Sequence, residues 1–415
     1  MIEGYLDSPW PSEDGSPQRL ASSGAAPGLD LGSGRTLQSK SRRTLLSTMT
    51  VLGAHGEVYL LTHSALRAKV GLATTARVER LDAETLETLE QSPRLAGGPM
   101  WPGGIAVHRN GDLYVVYGQY AHRLDRQCQP KASFKLPVVE PHNSFVILNN
   151  GLIVTKNLSD VNSAILTVLD PDTMKSAALN ITCPEPSIAR LSAVKNTVYL
   201  VGVRSIFRYH WNEGLGSLEK DADWHWTYQR EGQTFGWDVV LDGTSAWFMD
   251  NGKHKYQTTM RGAGVGINAN RLLRVDLADC ARHQALEVCG LPRGSITNPP
   301  LVDTQRRIVV AFDSANGYLA AWRYAALGEP LAPLWQKSDF WTASHMLQYP
   351  TSGELIVNDY RRWREHVVVL DIETGEEKGR VSTGGFMQGV VFPSVGWSGD
   401  LYWCSMDRVT RVFST

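Results

Sequence analysis

Residues Ala343–Val381 read ASHMLQYPTSGELIVNDYRRWREHVVVLDIETGEEKGRV, and this run decides the fold. Ser344–Tyr349 and Glu354–Asn358 are short strands flanking Pro350-Thr-Ser-Gly353, a turn whose glycine reaches positive φ without steric cost. His366–Leu370 is a β-branched run, and Asp371-Ile-Glu-Thr-Gly375 is a second turn leading into a polar last strand. Four antiparallel strands in this order make one blade of a β-propeller, provided that the chain repeats them.

The chain does repeat them. Turn pairs between apolar strands recur at His55-Gly56, Asn110-Gly111, Asn150-Gly151, Lys195-Asn196, Asp242-Gly243, Thr304-Gln305, Ser352-Gly353 and Gly399-Asp400. The outer-strand run VVVLDIETGE is echoed by RVERLDAETLE (77–87), LTVLDPDTMK (166–175) and LLRVDLADC (272–280). No helical periodicity of about 12 residues or more interrupts the series, which argues against doubly wound α/β folds. The expectation is an all-β chain, one β-propeller of eight four-stranded antiparallel blades, or seven if the first or fourth unit is misread. The eighth unit runs out at Thr415 with about three strands, so a strand around Thr36–Ser39 is expected to complete it and close the ring. We divide the chain into an extended N-terminal segment, 1–41, laid across the propeller surface, and a propeller domain, 42–415.

Composition fits. The chain has 38 glycines and 13 tryptophans, the mix that turns and inter-blade packing require. A formal net charge of −1 gives no electrostatic reason to expect nucleic acid or an anionic membrane as partner. No apolar run of about 18 residues and no signal-peptide core stands out. Five cysteines, an odd number without a CxxC pair, favour reduced thiols and a cytoplasmic setting. Two elaborations mark single blades, His63–Thr75 and the glycine-rich run 252–270, GKHKYQTTMRGAGVGINAN. The latter lacks the βαβ context of a dinucleotide loop and reads as a lid-like loop. Arg361-Arg-Trp-Arg-Glu365 sits in the equivalent place of blade seven, as a charged loop or an anion-gripping rim.

Topology then locates a site. Each innermost strand starts at one channel mouth and its partner returns to it, so residues at those points converge from all blades. The starts supply Trp101, His142-Asn143, Arg190, Trp237-Asp238, Asn298, His345 and Gln388; the returns supply Tyr117, Lys156-Asn157, Arg204, Asp250-Asn251, Asp313, Asn358-Asp359 and Ser405. Histidine titrates near neutral pH, so His142 and His345, in opposite blades, are the candidate acid/base pair, with Asp238 and Asp359 as orienting carboxylates. Arg190 and Arg204 are candidate anion grips, and Trp237, Trp101 and Tyr117 candidate substrate contacts.

The blade openings GGIAVHRNGDLYVV (103–116), PHNSFVILNNGLIVT (141–155) and FGWDVVLDGTSAWFMDN (235–251) resemble those of the gluconolactonase, paraoxonase and strictosidine-synthase-like propellers. That resemblance implies a channel-mouth Ca²⁺ held by Asn143, Asp238 and Asn298, and a metal-assisted hydrolase of lactone or ester type acting on a small molecule. The runs 141–157 and 344–360, each with a histidine at its strand start, are also similar to aryl sulfotransferase propellers, which implies histidine-based group transfer. LDIETGE (370–376) and the blade count are similar to quinoprotein dehydrogenases. The alternative outside catalysis is a propeller serving as an interaction scaffold.

Overall fold

The computed structural model describes residues 3–64, 67–68 and 70–415. Met1 and Ile2 of the N-terminal segment, and Ala65, Leu66 and Lys69 of the His63–Thr75 elaboration, lie outside the described residues. Eight antiparallel sheets form eight blades. Their innermost strands are Ser47–Leu52, Gly104–Val107, His142–Ile147, Ser192–Val194, Val240–Leu241, Leu301–Asp303, Leu347–Tyr349 and Ser394–Val395, which we number blades 1 to 8. Every turn pair expected from the repeat joins the first two strands of a blade. Blades 1 and 3 carry a fifth strand, Leu95–Gly98 and Ile181–Ser187.

Two local devices set the repeat. The inner strands are apolar and buried on both sides, as in Val58–His63 and Ile308–Asp313, whereas outer strands such as His283–Glu287 alternate exposed and half-buried residues. The LDxxT echoes are Asx turns: Asp82 Oδ1 accepts the amides of Glu84 and Thr85, and Asp170 Oδ1 those of Asp172 and Thr173. Trp247 and Trp403, both fully buried, fill the space inside and between blades.

Ring closure follows the sequence reading. Leu37–Arg43 pairs antiparallel with Arg408–Ser414, from Leu37 opposite Ser414 to Arg43 opposite Arg408, as the outermost strand of blade 8. A division at residue 41 therefore falls inside this strand. Of the preceding residues, 24–36 are largely exposed on their way to this strand, whereas 10–21 are nearly all buried. The latter thread the central channel and satisfy the free inner edges of the blades: Leu52 N donates to Trp10 O, Val107 N to Pro11 O, Ala193 N to Pro17 O, Leu241 N to Gln18 O and Gln348 N to Ala21 O. An inner strand edge left dry and unpaired would be costly, which explains why a segment without periodicity is held so regularly. Trp10 is 1% exposed and packs over Gly15, where a Cβ would stand 2.8 Å from the indole and where φ is +73°.

The run 252–270 does form a cover. It leaves blade 5, reaches across blades 6 and 7 to the start of blade 8, and returns to blade 5 at Arg271. Gly262 N donates to Ala315 O, Arg261 lies 4.2 Å over the Trp341 ring, and Met260 N donates to Gln388 Oε1 at 2.7 Å. Tyr256 Oη donates to Gln388 O and the amide of Gln388 reaches Thr258 O. In blade 7 the equivalent position is a tight hairpin, Arg362 and Trp363 both taking positive φ, rather than a loop.

Candidate functional site

The N-terminal plug and the channel wall share a cluster of buried ionisable side chains. The plug supplies Glu13, Asp14 and Arg19; the blades supply Arg190, Asp238 and His345, all at most 6% exposed. Arg19 reaches Asp14 at 3.0 Å and Glu13 at 2.8 Å, and also donates to Ser144 Oγ in blade 3 and to Leu191 O in blade 4. Arg190 stands 3.5 Å from Glu13 and 3.8 Å from Asp238 Oδ2, and its amide donates to Asp238 Oδ1. Its guanidinium lies 4.5 Å over Phe392, and the His345 ring stacks on the same phenyl at 3.8 Å.

His345 Nδ1 stands 2.9 Å from Asp14 Oδ1, a close but bent contact, and Nε2 has no partner. Burial opposes ionisation of Asp14, but His345 and Arg19 outweigh it and hold the carboxyl below its ordinary range. Glu13 goes the other way: burial raises it despite both arginines. The plug therefore brings a carboxylate to His345 that none of the blade positions provides. Neither Glu13, Asp14 nor Arg19 was among the residues expected here. Their one signal in the sequence is the charged run Glu13-Asp14-Gly-Ser-Pro-Gln-Arg19 inside a Ser/Gly/Pro-rich segment.

The expected residues divide. His345, Asp238, Arg190 and Asn143 belong to the buried cluster or border it. His142 does not face His345, because the plug lies between blades 3 and 7. Its Nδ1 is 3.0 Å from Gly118 O and 3.1 Å from Glu140 O, and burial lowers it to about 4. Asp359 is held by Arg361, Arg380 and the Trp341 amide, within its own blade. Arg204 is exposed and pairs with Glu185. Tyr117 donates to Thr74 Oγ1 and stacks on His63, away from the plug. Trp101 meets Trp237 with 6.5 Å between ring centroids, and Trp237 meets His254 at 6.4 Å, so these rings cover the mouth beside the 252–270 run. Asp250 is paired with Arg271, burial raising its carboxyl to about 6, and Asp313 caps the amides of Ser295, Ala315 and Asn316.

The residues proposed for Ca²⁺ show a divided fit. Asn143 donates to Ile188 O and leaves Oδ1 unpartnered, as is Asp238 Oδ2; Asn298 donates to Ala343 O. Those free oxygens are the donor type calcium takes. The charges are not: burial favours the neutral form of Glu13, and Asp14 and Asp238 are already matched by Arg19 and Arg190. A cluster with no spare negative charge does not fit a divalent cation. Among the described residues no group of three or more His, Cys, Asp or Glu is arranged to hold a metal. All five cysteines are free thiols. No helix among the described residues is long and apolar enough to cross a membrane.

No protein-family model matches this chain, and no curated protein matches it in sequence. Solved structures do match in fold. The quinohemoprotein alcohol dehydrogenase from Comamonas testosteroni superposes with a TM-score of 0.67 at 11% identity, over 97% of this chain and 80% of that one. The Dos1 propeller gives 0.57 at 9% identity, over 91% and 95%. Raptor from Chaetomium thermophilum gives 0.50 at 11% identity, over 92% of this chain and 29% of that one. At such identities the likeness is to the β-propeller fold, and it does not single out the gluconolactonase and paraoxonase group.

Proposed function

We propose that the protein is a small-molecule hydrolase of the lactone or ester type, working without a metal, with His345 as its acid/base group beneath the 252–270 cover. The observation that carries this reading is the buried His345–Asp14 pair with Nε2 free. Asp14 on Nδ1 fixes the tautomer that leaves Nε2 as the basic nitrogen and stabilises the imidazolium once it forms. Water adds to the substrate carbonyl as its proton passes to Nε2; the same proton then goes to the departing alkoxide, giving acid and alcohol. Arg190, whose buried Nε–H has no hydrogen-bond acceptor, supplies the donor for the tetrahedral oxyanion.

Two features support an occupant. Ser12, Glu13, Ser16, Asn143, Asp238 and His345 all carry buried polar atoms without a protein partner, a concentration that ordinary interiors avoid. Buried ion pairs are also a poor means of sealing a channel, since apolar side chains do so at lower desolvation cost. The fold itself decides nothing, because propellers serve as enzymes and as scaffolds alike. One observation favours the scaffold reading: Arg19 ties the plug to blades 3 and 4, so the same charges anchor the segment.

Turnover of a panel of lactones and aryl esters separates the two. His345→Ala should lower kcat on the order of 10²–10⁴-fold with the melting temperature nearly kept, and Asp14→Asn should do so per folded molecule while also melting earlier, because it removes one partner of a buried ion pair. His142→Ala should lose stability and keep activity per folded molecule. Absence of turnover across the panel, or variants that melt early and turn over normally, would assign these residues to plug anchoring.

A further inference from the structure

A wide concavity lies outside the channel. It is an open groove of about 850 Å³ where the ring closes, between the closing strand Leu37–Arg43 of blade 8 and the outer strands of blade 1. Its walls hold five arginines against two carboxylates, Glu79 and Asp407, in a chain whose formal net charge is −1. Arg42 is spent on Glu79 at 2.9 Å, and Asp407 on Arg408 at 2.9 Å. Arg43 and Arg94 are exposed and make no side-chain hydrogen bond or ion pair among the described residues. The floor is apolar: Leu45 is 63% and Phe386 56% exposed, with Met387 and Met406 beside them.

A second observation points the same way. His63 lines the groove, is 2% exposed, and has no partner for Nδ1. Gly103 N donates to its Nε2 at 3.3 Å, so that nitrogen is the acceptor and Nδ1 carries the proton. Burial keeps the ring neutral, and the result is a buried N–H donor with nothing to donate to. Two unpaired guanidinium groups, an unused donor and an exposed apolar floor are complementary to one kind of ligand.

We infer that this groove binds a small amphipathic organic anion, its carboxylate or sulfonate held by Arg43 and Arg94 and its apolar body laid on Leu45 and Phe386. The site is separate from the channel and does not rest on the hydrolase reading.

The test uses 8-anilinonaphthalene-1-sulfonate, an anion with an apolar body, titrated into the full-length folded protein while its fluorescence is followed. One saturable site is expected, weakened by added salt. Arg43→Gln combined with Arg94→Gln should weaken it by about tenfold or more, since each charge-assisted contact contributes at least that much discrimination. Leu45→Ser should also weaken it, and His345→Ala should leave it unchanged. All these positions except His345 are exposed, so the variants fold, as an unchanged melting curve would verify. No enhancement by the native protein, or enhancement equal in the arginine double variant, overturns the proposal.

Discussion

Lys156 shows what the channel wall costs at the scale of one residue. Its amine is 1% exposed and donates to Asn157 O and Ser187 O, with no carboxylate in contact. Burial lowers it to about 7, against Asp238, which raises it. A base whose folded value lies below its unfolded value binds fewer protons when folded, so stability rises with pH between about 7 and the ordinary lysine value. The slope is up to about 1.4 kcal/mol per pH unit. Urea unfolding of the native protein and Lys156→Met at pH 6, 7.5 and 9 should therefore show the native protein gaining on the variant as pH rises. A difference that stays flat would mean the amine remains charged in the fold. Sequence placed Lys156 at a strand return but gave no hint of its burial, because the Ser187 carbonyl it meets lies on the fifth strand of blade 3, outside the four-strand repeat. His345 is the same case. Its position at a strand start was legible from the blade repeat, whereas its partner Asp14 comes from a segment with no repeat to read.

At the scale of elements, the strands and turns were legible because each blade solves the same local problem with the same residues. LDxxT makes an Asx turn wherever it stands, and apolar runs beside glycine turns make hairpins wherever they stand. The closing strand was legible as well, since a three-stranded last blade demands a fourth. The 252–270 cover was legible as a lid-like loop, but not where it docks. Its destination depends on Gln388, whose side chain accepts from Met260 N and Thr259 Oγ1 and donates to Trp341 O. Nothing in either local sequence signals that pairing. Gln388→Ala leaves the buried Met260 amide without an acceptor, a loss of about 1–3 kcal/mol confined to the cover. Hydrogen exchange should then speed at Met260 and Ala263 while the blade 5 strands exchange as before. Equal protection in both proteins would mean that packing of Met260, Tyr256 and Val390 alone holds the cover shut.

The whole molecule joins two functions in its first 43 residues. Residues through Ala21 fill the channel, and Leu37–Arg43 closes the ring, so the chain's start is both plug and clasp. The two roles are separable by truncation. Removing residues 1–34 keeps the clasp but takes away Trp10, Leu29 and Glu13–Arg19, leaving His345, Arg190 and Asp238 exposed to solvent along open inner edges. Such a protein should remain a closed ring that unfolds in one transition, at a lower temperature, with the charges of the cluster hydrated. Removing residues 1–43 also strips Arg408–Ser414 of its partner and opens a free edge beside blade 1. That protein should lose cooperative unfolding, or associate through the exposed strand. Scanning calorimetry with light scattering distinguishes the outcomes. If the shorter truncation proves as disruptive as the longer one, the plug rather than the clasp holds the ring, and the inner-edge hydrogen bonds at Leu52, Val107, Ala193, Leu241 and Gln348 become the structural requirement of the fold.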